Sequence, residues 1–432
     1  MTSRTVIVAH PGQQHSYQTA LAMQEAGLLD LYLTGFYYKP DATAPVLRFL
    51  PRRWRRMVER ELNRRHHVAL KPDKIRSHPI VELGQVLAGR MVRSNNPSLM
   101  LYRNRNFQKW ASRTISQRRP SAVIAYDTSA LELFRSAKQI RSLCILDQTI
   151  AERSLGLELM ENEAVLHPEW SDSLTIEHMR ATESLACAEA KAADVVLAGS
   201  EFVRESLARR GVPKSKITVL PYGAEPNKTN LVEQDNSIFT IIFVGSVSQR
   251  KGIKYLLEAV KRLGLPNLNL NVVGSILGDP THLEPYRRSA SFLGNVPRSE
   301  VADYLADADI CVYPSIFEGS ALAVYEAMAA GLAVITTPNS GSVVRDGIDG
   351  YVVPIRDVDA LAAKIKLLYD DRALTRLMGA NARDRAREFT WQTYRKRLAA
   401  IVTNIIEAGD EVQRPASAIE TRASEYSPAP AV

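Results

Sequence analysis

Short, unbroken apolar runs alternate with helix-length amphipathic segments along the chain, and this alternation constrains the fold more than any other feature. Strands separated by helix-sized stretches predict βαβ units and a parallel sheet. Apolar runs without polar alternation are typical of strands covered on both faces. The candidate strands are Val6–Ala9, Leu31–Thr34, Ala122–Tyr126, Leu143–Leu146, Val195–Ala198, Ile217–Leu220, Thr240–Val244, Asn269–Val273, Ile310–Tyr313, Ala333–Thr336 and Gly350–Val353. We therefore expect an α/β protein with Rossmann-like, doubly wound sheets.

The series of candidate strands starts again after a polar stretch rich in turn-forming residues, which we interpret as a linker. A chain of 432 residues also exceeds one ordinary core and suits two domains. The predicted units are an N-terminal domain over 1–222 with a basic insertion at about 45–78, a linker over 223–236, a C-terminal domain over 237–390, a helix over 391–408 that crosses back to the N-terminal domain, and a disordered tail over 409–432. Two such domains leave a cleft between the carboxyl ends of their strands, where sheets of this type bind ligands.

Composition is typical of soluble globular proteins, with 45% hydrophobic and 24% charged residues. The sequence has no apolar run long enough to cross a bilayer, so we expect no membrane span. The apolar stretch near the N-terminus is too short for the core of a signal peptide and is interpreted as a first strand. Cys144, Cys187 and Cys311 lie far apart. We expect them to be buried thiols in a cytoplasmic protein rather than parts of a zinc site or disulfides.

The net charge of +8 is concentrated in one segment, where eight arginines lie between Arg48 and Arg65 against only Glu59 and Glu61. Such a patch favours an anionic partner. In Leu47–Leu62, apolar residues recur at helical spacing among the arginines, which is typical of an interfacial helix on a lipid surface. The alternative is an insertion helix packed on the N-terminal domain with its arginines in water. Nucleic acid is not expected as a partner, because no recognition motif accompanies the patch.

The segment Ile310–Gly331 carries the most informative pattern, which predicts a buried strand, a loop and an alanine-rich helix. Glu318 lies near the end of the loop, and Glu326 follows eight residues later. In one helix these carboxylates would lie on nearly the same face, about 12 Å apart. The residues directly after Glu318 would present backbone N–H groups at the helix N-terminus, which is a binding site for a diphosphate. The alternative for Glu318 is an exposed acidic residue that stabilises the first turn.

This segment resembles the E-x7-E signature of the family 4 retaining glycosyltransferases (glycosyl transferases group 1), which have the GT-B fold. Other stretches agree with the family in order and spacing, and the set covers nearly all of residues 192–392. The matching stretches are Ala192–Glu225, Phe243–Val260, LGNVPRSEVADYLADADICVYPS and AVITTPNSGSVVRDGIDGYVV. This ordered set is far more specific than a single E-x7-E motif. The resemblance implies two Rossmann-like domains that face each other across a cleft.

The resemblance also implies donor-binding roles in the C-terminal domain. Lys251, with Arg250 beside it, would neutralise the diphosphate of a nucleotide-sugar and stabilise the leaving group. Glu318 would lie near the transferred sugar, and Glu326 would bind the ribose hydroxyls. The family often has an arginine where this chain has Ser246, so either Arg250 takes over that charge or the diphosphate is held with one cation fewer. The expected donor contacts are Gly245, Ser246, Arg250, Lys251, Val296, Glu318, Gly319, Ser320, Ala321 and Glu326.

In the N-terminal domain the first candidate strand leads into a glycine turn that the resemblance places near the donor phosphate or the acceptor. The family often has paired glycines there, whereas this chain has only Gly12. His10 and His15 are candidate contacts, with a purely structural role as the alternative. Asp127 and Asp147 each follow an apolar strand, so we expect both to face the cleft. The family often has a histidine near the position of Asp147, and Asp127 could instead cap the following helix.

The resemblance implies that an acceptor hydroxyl attacks the anomeric carbon of a nucleotide-diphosphate-sugar with net retention. Candidate catalytic residues are Glu318, Lys251, Asp147 and Asp127. No metal and no cofactor are expected, because basic side chains and a helix N-terminus act at the phosphates. The acceptor would be a glycan or a lipid-linked molecule in cell-surface polysaccharide, lipopolysaccharide or glycolipid assembly.

Two alternatives to a transferase stay open. One is a nucleotide-sugar 2-epimerase of the same fold, and the other is a catalytically silent GT-B protein that docks on a membrane through Arg48–Arg65. The expected location is the cytoplasm, with peripheral binding to the inner face of the cell membrane. A dinucleotide-dependent dehydrogenase is disfavoured, because no G-x-G-x-x-G follows an early strand.

Overall fold

The computed structural model describes residues 4–12, 15–39, 51–63, 65–78, 97–225 and 237–412. Within these ranges the strands form two parallel sheets. The strands of the first sheet are β1 (Val6–His10), β2 (Leu29–Thr34), β3 (Ile75–Ser77), β4 (Ala122–Tyr126), β5 (Leu143–Gln148), β6 (Val195–Ala198) and β7 (Ile217–Val219). Their order is β3-β2-β1-β4-β5-β6-β7. The helices that accompany them are α1 (Ser16–Glu25), α2 (Arg52–Asn63), α3 (Pro97–Arg118), α4 (Leu131–Gln139), α5 (Arg153–Leu166), α6 (Ile176–Ala192) and α7 (Glu201–Arg209).

The second sheet has the order β10-β9-β8-β11-β12-β13. Its strands are β8 (Phe239–Val244), β9 (Leu268–Val273), β10 (Ser291–Gly294), β11 (Ile310–Tyr313), β12 (Ala333–Thr336) and β13 (Gly350–Val352). Its helices are α8 (Ile253–Leu263), α9 (Arg298–Ala306), α10 (Leu322–Ala330), α11 (Val358–Asp370) and α12 (Arg372–Ala386). Because both sheets are parallel and start from a central strand, β1 or β8, with crossovers to both sides, the predicted α/β class is confirmed.

Two edge strands, β3 and β10, were not predicted from the sequence. β3 has only three residues, of which Ile75 alone is buried, and it pairs with β2 through Tyr32 and Ile75. β10 alternates between exposed and half-buried positions. Neither strand has the unbroken apolar run of a strand covered on both faces, because each lies at the edge of its sheet.

A last helix, α13 (Trp391–Val412), packs against the N-terminal domain. Its Tyr394 is buried, with its hydroxyl 3.3 Å from Thr19 Oγ1 on α1. Arg395 donates to Gln18 at 2.7 Å. The helix continues beyond the boundary at 408 that the sequence predicted, and residues 413–432 of the predicted tail lie outside the described residues.

Residues 226–236 of the predicted linker also lie outside the described residues. Its first residues are ordered by contact with the segment before α13, since Ala224 forms a bridge with Thr390. A Cβ at Gly223 would lie 2.4 Å from the Thr390 carbonyl carbon. The segment that enters the second domain and the segment that leaves it therefore lie side by side.

The basic helix predicted over Leu47–Leu62 is observed as α2, and residues 40–50 lie outside the described residues. No helix in the described part of the chain is long and apolar enough to cross a membrane. Cys144 and Cys311 are buried free thiols as predicted. The prediction is wrong for Cys187, which is only half-buried on α6.

Candidate active site

A buried cluster of two cations and one carboxylate lies at the carboxyl end of the second sheet. Lys251 Nζ lies 2.5 Å from Glu318 Oε1, and Arg250 Nη1 lies 3.0 Å from the same oxygen. The Lys251 ammonium also contacts the hydroxyl of Tyr313, the last residue of β11. The three charged side chains are only 13–19% exposed. Two cations that share one carboxylate leave a net positive charge, which suits an anionic ligand.

The backbone around Gly252 brings the two cations to the loop after β11. A 3₁₀ turn over Gln249–Lys251 follows β8, and Gly252 ends it in the left-handed region at φ 69°. A Cβ at Gly252 would lie 2.0 Å from the Pro314 carbonyl oxygen, so this approach requires glycine. The two segments are also joined by a 3.0 Å hydrogen bond from the Ile316 amide to the Arg250 carbonyl.

The cluster keeps all three of its charged members ionised. Burial alone would raise the pKa of Glu318, but Arg250 and Lys251 outweigh burial and lower the pKa of Glu318 to about 2. Burial lowers the pKa of Lys251, and Glu318 more than reverses this, so that the pKa of Lys251 is raised. Two positive charges are therefore present at neutral pH.

Glu318 and Glu326 do not lie on one helix, so the prediction that they share a helix face is wrong. Helix α10 begins only at Leu322, which leaves Glu318 in the preceding loop and the half-buried Glu326 on the helix itself. The Ala321 amide, predicted to bind a phosphate, donates instead to the Ser340 carbonyl at 3.0 Å. The loop before α10 therefore forms hydrogen bonds to neighbouring segments and is not the first turn of the helix.

Gly319 lies directly against the N-terminal domain. A Cβ at Gly319 would come 2.1 Å from the Thr149 carbonyl oxygen, so this approach also requires glycine. Ser200 Oγ donates to the Gly319 carbonyl at 2.5 Å, and the Ala151 amide donates to the Glu318 carbonyl at 3.3 Å. The loop that carries Glu318 is thus part of the interface between the two domains.

The other predicted donor contacts lie on several loops. Gly245 and Ser246 directly follow β8, and a Cβ at Gly245 would lie 3.4 Å from Lys251 Cδ. The Ser320 hydroxyl is buried and lies 3.0 Å from Tyr325 Oη. Val296 follows β10 and packs against the hydrophobic core. The structure therefore brings Gly245 to the cluster and places Val296 on a separate loop.

A cavity of about 240 Å³ lies at the carboxyl ends of β1, β4 and β5 in the N-terminal domain. Its polar lining includes His10, Arg103, Asp127, Thr149, Arg153 and His178. Gly12 also lines the cavity. Because Thr149 contacts Gly319 as well, the cavity adjoins the loop that carries Glu318.

Asp127 faces this cavity as predicted. Its Oδ2 accepts a hydrogen bond from Arg153 Nη2 at 2.6 Å, and its Oδ1 accepts one from Thr149 Oγ1 at 2.5 Å. The alternative that Asp127 caps α4 is wrong, because Glu189 accepts the amides at the start of that helix, including Ala130 at 2.7 Å. Asp127 therefore fixes the wall of the cavity rather than a helix end.

Asp147 does not line the cavity within the described residues, contrary to the prediction. It is 2% exposed, and its Oδ2 lies 2.8 Å from His15 Nε2. The His15 ring lies 4.2 Å from the ring of Tyr222 and 5.4 Å from that of Tyr126. Asp147 and His15 thus form a pair inside an aromatic cluster, which removes His15 from the cavity as well.

Sequence reasoning missed Arg103, Arg153 and Tyr313. Arg153 begins the first helix after β5, so the rule that singled out Asp127 at the end of β4 could have found it. Tyr313 is the last residue of β11 and could have been found in the same way. Arg103 lies within α3 among other basic residues, and no local pattern marks it.

Residues 238–371 match the model of the family described as Glycosyl transferases group 1. The amylovoran biosynthesis glycosyltransferase AmsK of Erwinia amylovora is 30% identical over 192 residues, which are 39% of this chain and 46% of AmsK. The putative colanic acid biosynthesis glycosyltransferase WcaL of Salmonella typhimurium is 26% identical over 297 residues, 62% of this chain and 68% of WcaL. The UDP-Gal:alpha-D-GlcNAc-diphosphoundecaprenol alpha-1,3-galactosyltransferase of Escherichia coli is 27% identical over 195 residues, 40% of this chain and 50% of that protein. The chain thus spans about half the length of two of these three relatives.

Solved structures share the fold over nearly the whole chain. Anabaena Alr3699/HepE in complex with UDP and glucose has a TM-score of 0.59 at 15% identity, and the match covers 93% of this chain and 100% of that one. Sucrose-phosphate synthase from Thermosynechococcus elongatus has a TM-score of 0.64 at 19% identity, with 94% and 100% covered. Likeness at these identities establishes the fold alone, and it confirms the predicted GT-B fold. Residues 238–371 thus resemble the glycosyl transferases group 1 family in sequence, and the whole chain shares the GT-B fold.

Proposed function

We propose that this protein is a retaining glycosyltransferase that moves a sugar from a nucleotide-diphosphate-sugar to a hydroxyl of a glycan or lipid-linked acceptor. The acceptor product would belong to a cell-surface polysaccharide, lipopolysaccharide or glycolipid. The relatives with names from amylovoran and colanic acid biosynthesis support this class of product. The name of the Escherichia coli relative, which specifies UDP-Gal and a diphosphoundecaprenol acceptor, supports a UDP-sugar and a lipid-linked acceptor as the first to test.

One observation carries the proposal: Lys251 and Arg250 share the single carboxylate of Glu318 at the carboxyl end of a doubly wound sheet. A nucleoside diphosphate is a dianion or more at neutral pH, and charge-assisted hydrogen bonds to such groups are strong in a partly buried site. Ligands of open α/β sheets bind at this end of the strands. The cluster therefore has the charge and the location that a donor diphosphate requires.

The proposed reaction needs one new bond and one broken bond at the anomeric carbon. The acceptor oxygen forms the new glycosidic bond while the bond from the anomeric carbon to the diphosphate oxygen breaks. Lys251 and Arg250 stabilise the negative charge that develops on the departing diphosphate. That diphosphate takes the proton of the acceptor hydroxyl, so no enzyme nucleophile is required. Attack on the face that the diphosphate leaves gives net retention.

The proposal includes no metal ion and no cofactor, because Lys251 and Arg250 supply positive charge at the diphosphate. It also places the protein in the cytoplasm at the inner face of the cell membrane, where lipid-linked acceptors are exposed. The segment Arg48–Arg65 would then bind anionic lipid. The described part of this segment supports the idea, since α2 is a strongly basic helix.

Thermal-shift measurements with UDP, GDP, ADP and CDP test the donor site. A nucleotide at about 100 times its Kd should stabilise the folded protein by about 2.7 kcal/mol. We expect a shift with one nucleotide, which is lost in Lys251→Ala and reduced in Glu326→Ala. Lys366→Ala is the matched control, because Lys366 is an exposed lysine of α11 that pairs with Asp370.

Three results would count against the proposal. The absence of a shift with all four nucleotides would remove the donor site. A shift that persists in Lys251→Ala would place the nucleotide elsewhere. Formation of a free sugar epimer without any acceptor would favour the 2-epimerase instead.

A further inference from the structure

The cavity in the N-terminal domain contains a positive charge that its carboxylate does not balance. Asp127 is bound to Arg153 at 2.6 Å. Arg103 also lines the cavity, and its guanidinium donates to Asn104 Oδ1, a neutral acceptor, at 3.0 and 3.1 Å. Within the ranges that the structure describes, no carboxylate lies at ion-pair distance from Arg103. The cavity therefore has a net positive charge before a ligand enters.

Arg103 carries this charge in a half-buried position, close to another arginine. Burial and the nearby Arg65 both lower the pKa of Arg103, yet arginine stays charged at neutral pH because its ordinary pKa lies far above 7. A guanidinium such as that of Arg103 is unfavourable in a partly dehydrated place unless an anion lies near it. Arg65 lies just after α2, so positive charge extends from the cavity to the basic helix.

A second feature of the cavity also indicates a ligand. His10 lines it and is 6% exposed, and among the described residues its Nδ1 forms no well-aligned hydrogen bond, although the backbone of Gly12 is close enough to act on the His10 pKa. Burial lowers the pKa of His10 to about 4, so the imidazole is neutral at neutral pH. A buried ring nitrogen without a partner is costly, and a hydroxyl or a phosphate oxygen-hydrogen group of a ligand would satisfy it.

The wall beside Arg103 is rigid. Asn104, which accepts from Arg103, donates through Nδ2 to the Thr128 carbonyl at 3.0 Å. The Thr128 amide in turn donates to the buried carboxylate of Glu189 at 2.6 Å. Thr149, which also lines the cavity, lies against Gly319 of the donor loop. The cavity is thus preformed and adjoins the place where the sugar would be transferred.

We propose that this cavity binds a phosphate group of the acceptor, with Arg103 as its cationic contact and His10 as a hydrogen-bond partner. The inference rests on the proposed transferase function and specifies the acceptor as a phosphate-bearing molecule. The phosphate could belong to a prenyl diphosphate lipid or to a free sugar phosphate, and both supply the same oxyanion to Arg103. The positive charge of Arg65 would attract such an anion toward the cavity.

Calorimetric titration of the full chain with inorganic pyrophosphate tests this proposal. The titration is made in Lys251→Ala, so that the donor site does not contribute. We expect Kd to rise about tenfold or more when Arg103→Ala is added, because a charge-assisted hydrogen bond is lost. Arg105→Ala is the matched control, since Arg105 is an exposed arginine of the same helix. Arg103→Lys should restore part of the affinity, and unchanged melting temperatures would show that the variants fold.

The same titrations with geranyl diphosphate and glucose 1-phosphate distinguish the two sources, and tighter Arg103-dependent binding of one of them identifies it. An equal Kd for pyrophosphate with and without Arg103→Ala overturns the proposal. If the wild type still binds a nucleoside diphosphate through Lys251 in that case, only the acceptor inference fails. If the nucleoside diphosphates fail to bind at all, the proposed function fails, whatever the result at Arg103.

Discussion

Glu163 Oε2 accepts a hydrogen bond of 2.7 Å from Gln249 Nε2, and this contact joins α5 of the N-terminal domain to the turn that carries Lys251. Glu163 is fully buried. Its carboxylate also pairs with Arg356 at 2.5 Å and accepts from Tyr255 Oη at 3.0 Å. Its three partners belong to the second domain, so a single carboxylate of the first domain helps to position the donor turn.

Replacement of Glu163 by alanine should therefore weaken both the fold and donor binding. Loss of one member of a buried ion pair costs about 3–5 kcal/mol of unfolding free energy. Because Gln249 begins the turn of Arg250 and Lys251, we also expect Kd for the nucleoside diphosphate to rise by about two- to thirtyfold. Urea unfolding and nucleotide titration measure the two effects.

Glu161→Ala is the matched control for this variant. Glu161 lies on the same helix but is half exposed and pairs only with Arg180 among the described residues. It should leave the nucleotide Kd unchanged. A Glu163→Ala protein with lower stability but an unaltered nucleotide Kd would show that the contact does not position the donor turn.

The low pKa of Glu318 predicts a pH-dependent difference between the wild type and Glu318→Gln. A carboxyl whose folded pKa is depressed stabilises the fold above its unfolded pKa and loses this contribution as pH falls through the folded pKa. With a folded pKa of about 2 and an ordinary value of 4.5, the contribution is complete above about pH 5. The difference in unfolding free energy between the wild type and Glu318→Gln should be constant from pH 8 to pH 5 and should decrease below pH 4.5. A gap that already narrows between pH 7 and pH 5 would contradict the assignment.

Asp147 is expected to act on stability rather than on the chemical step. It is buried against His15, and its removal leaves a buried ring nitrogen without its partner, which costs about 1–3 kcal/mol. Asp147→Ala should therefore lower the melting temperature, while the exposed variant Asp303→Ala should not. A variant with unchanged stability and a large loss of turnover would instead restore Asp147 as a catalytic candidate.

The basic segment should bind anionic vesicles in a salt-dependent way. Each arginine near an anionic surface contributes about 1 kcal/mol, and the effect decreases as salt shortens the screening length. We expect cosedimentation with phosphatidylglycerol vesicles that falls between 50 and 300 mM salt (roughly 14 to 6 Å of screening length). Charge reversal at Arg52, Arg53 and Arg55 should abolish it. Equal binding to phosphatidylcholine vesicles would contradict an electrostatic surface.

Much of the fold could be predicted from the sequence, because the buried strands of parallel sheets are unbroken apolar runs. β1, β4 and β11 illustrate this, since every residue in each of them is buried. The short edge strands β3 and β10 have no such run and could not be found. In the site, the order of motifs located Lys251 and Glu318 on segments that the structure brings into contact.

Other features of the site could not be predicted, because they depend on contacts between distant segments. Helix α10 starts only at Leu322, and the Ala321 amide before it donates to the Ser340 carbonyl, a contact that periodicity cannot show. Asp127 directly follows β4, Asp147 lies near the end of the adjacent strand β5, and both have the same local sequence pattern. Their different environments arise because Arg153 reaches one and His15 reaches the other.

The most direct test of the proposed function measures the anomer of the sugar released when the protein hydrolyses a nucleotide-diphosphate-sugar, with water as the acceptor. This assay needs no knowledge of the natural acceptor. Proton NMR of UDP-glucose hydrolysis, recorded before mutarotation, should show the α-anomer first, and its release should be lost in Lys251→Ala but not in Lys366→Ala. Initial release of the β-anomer, or release at the wild-type rate in Lys251→Ala, would contradict a retaining transferase whose leaving group is stabilised by Lys251.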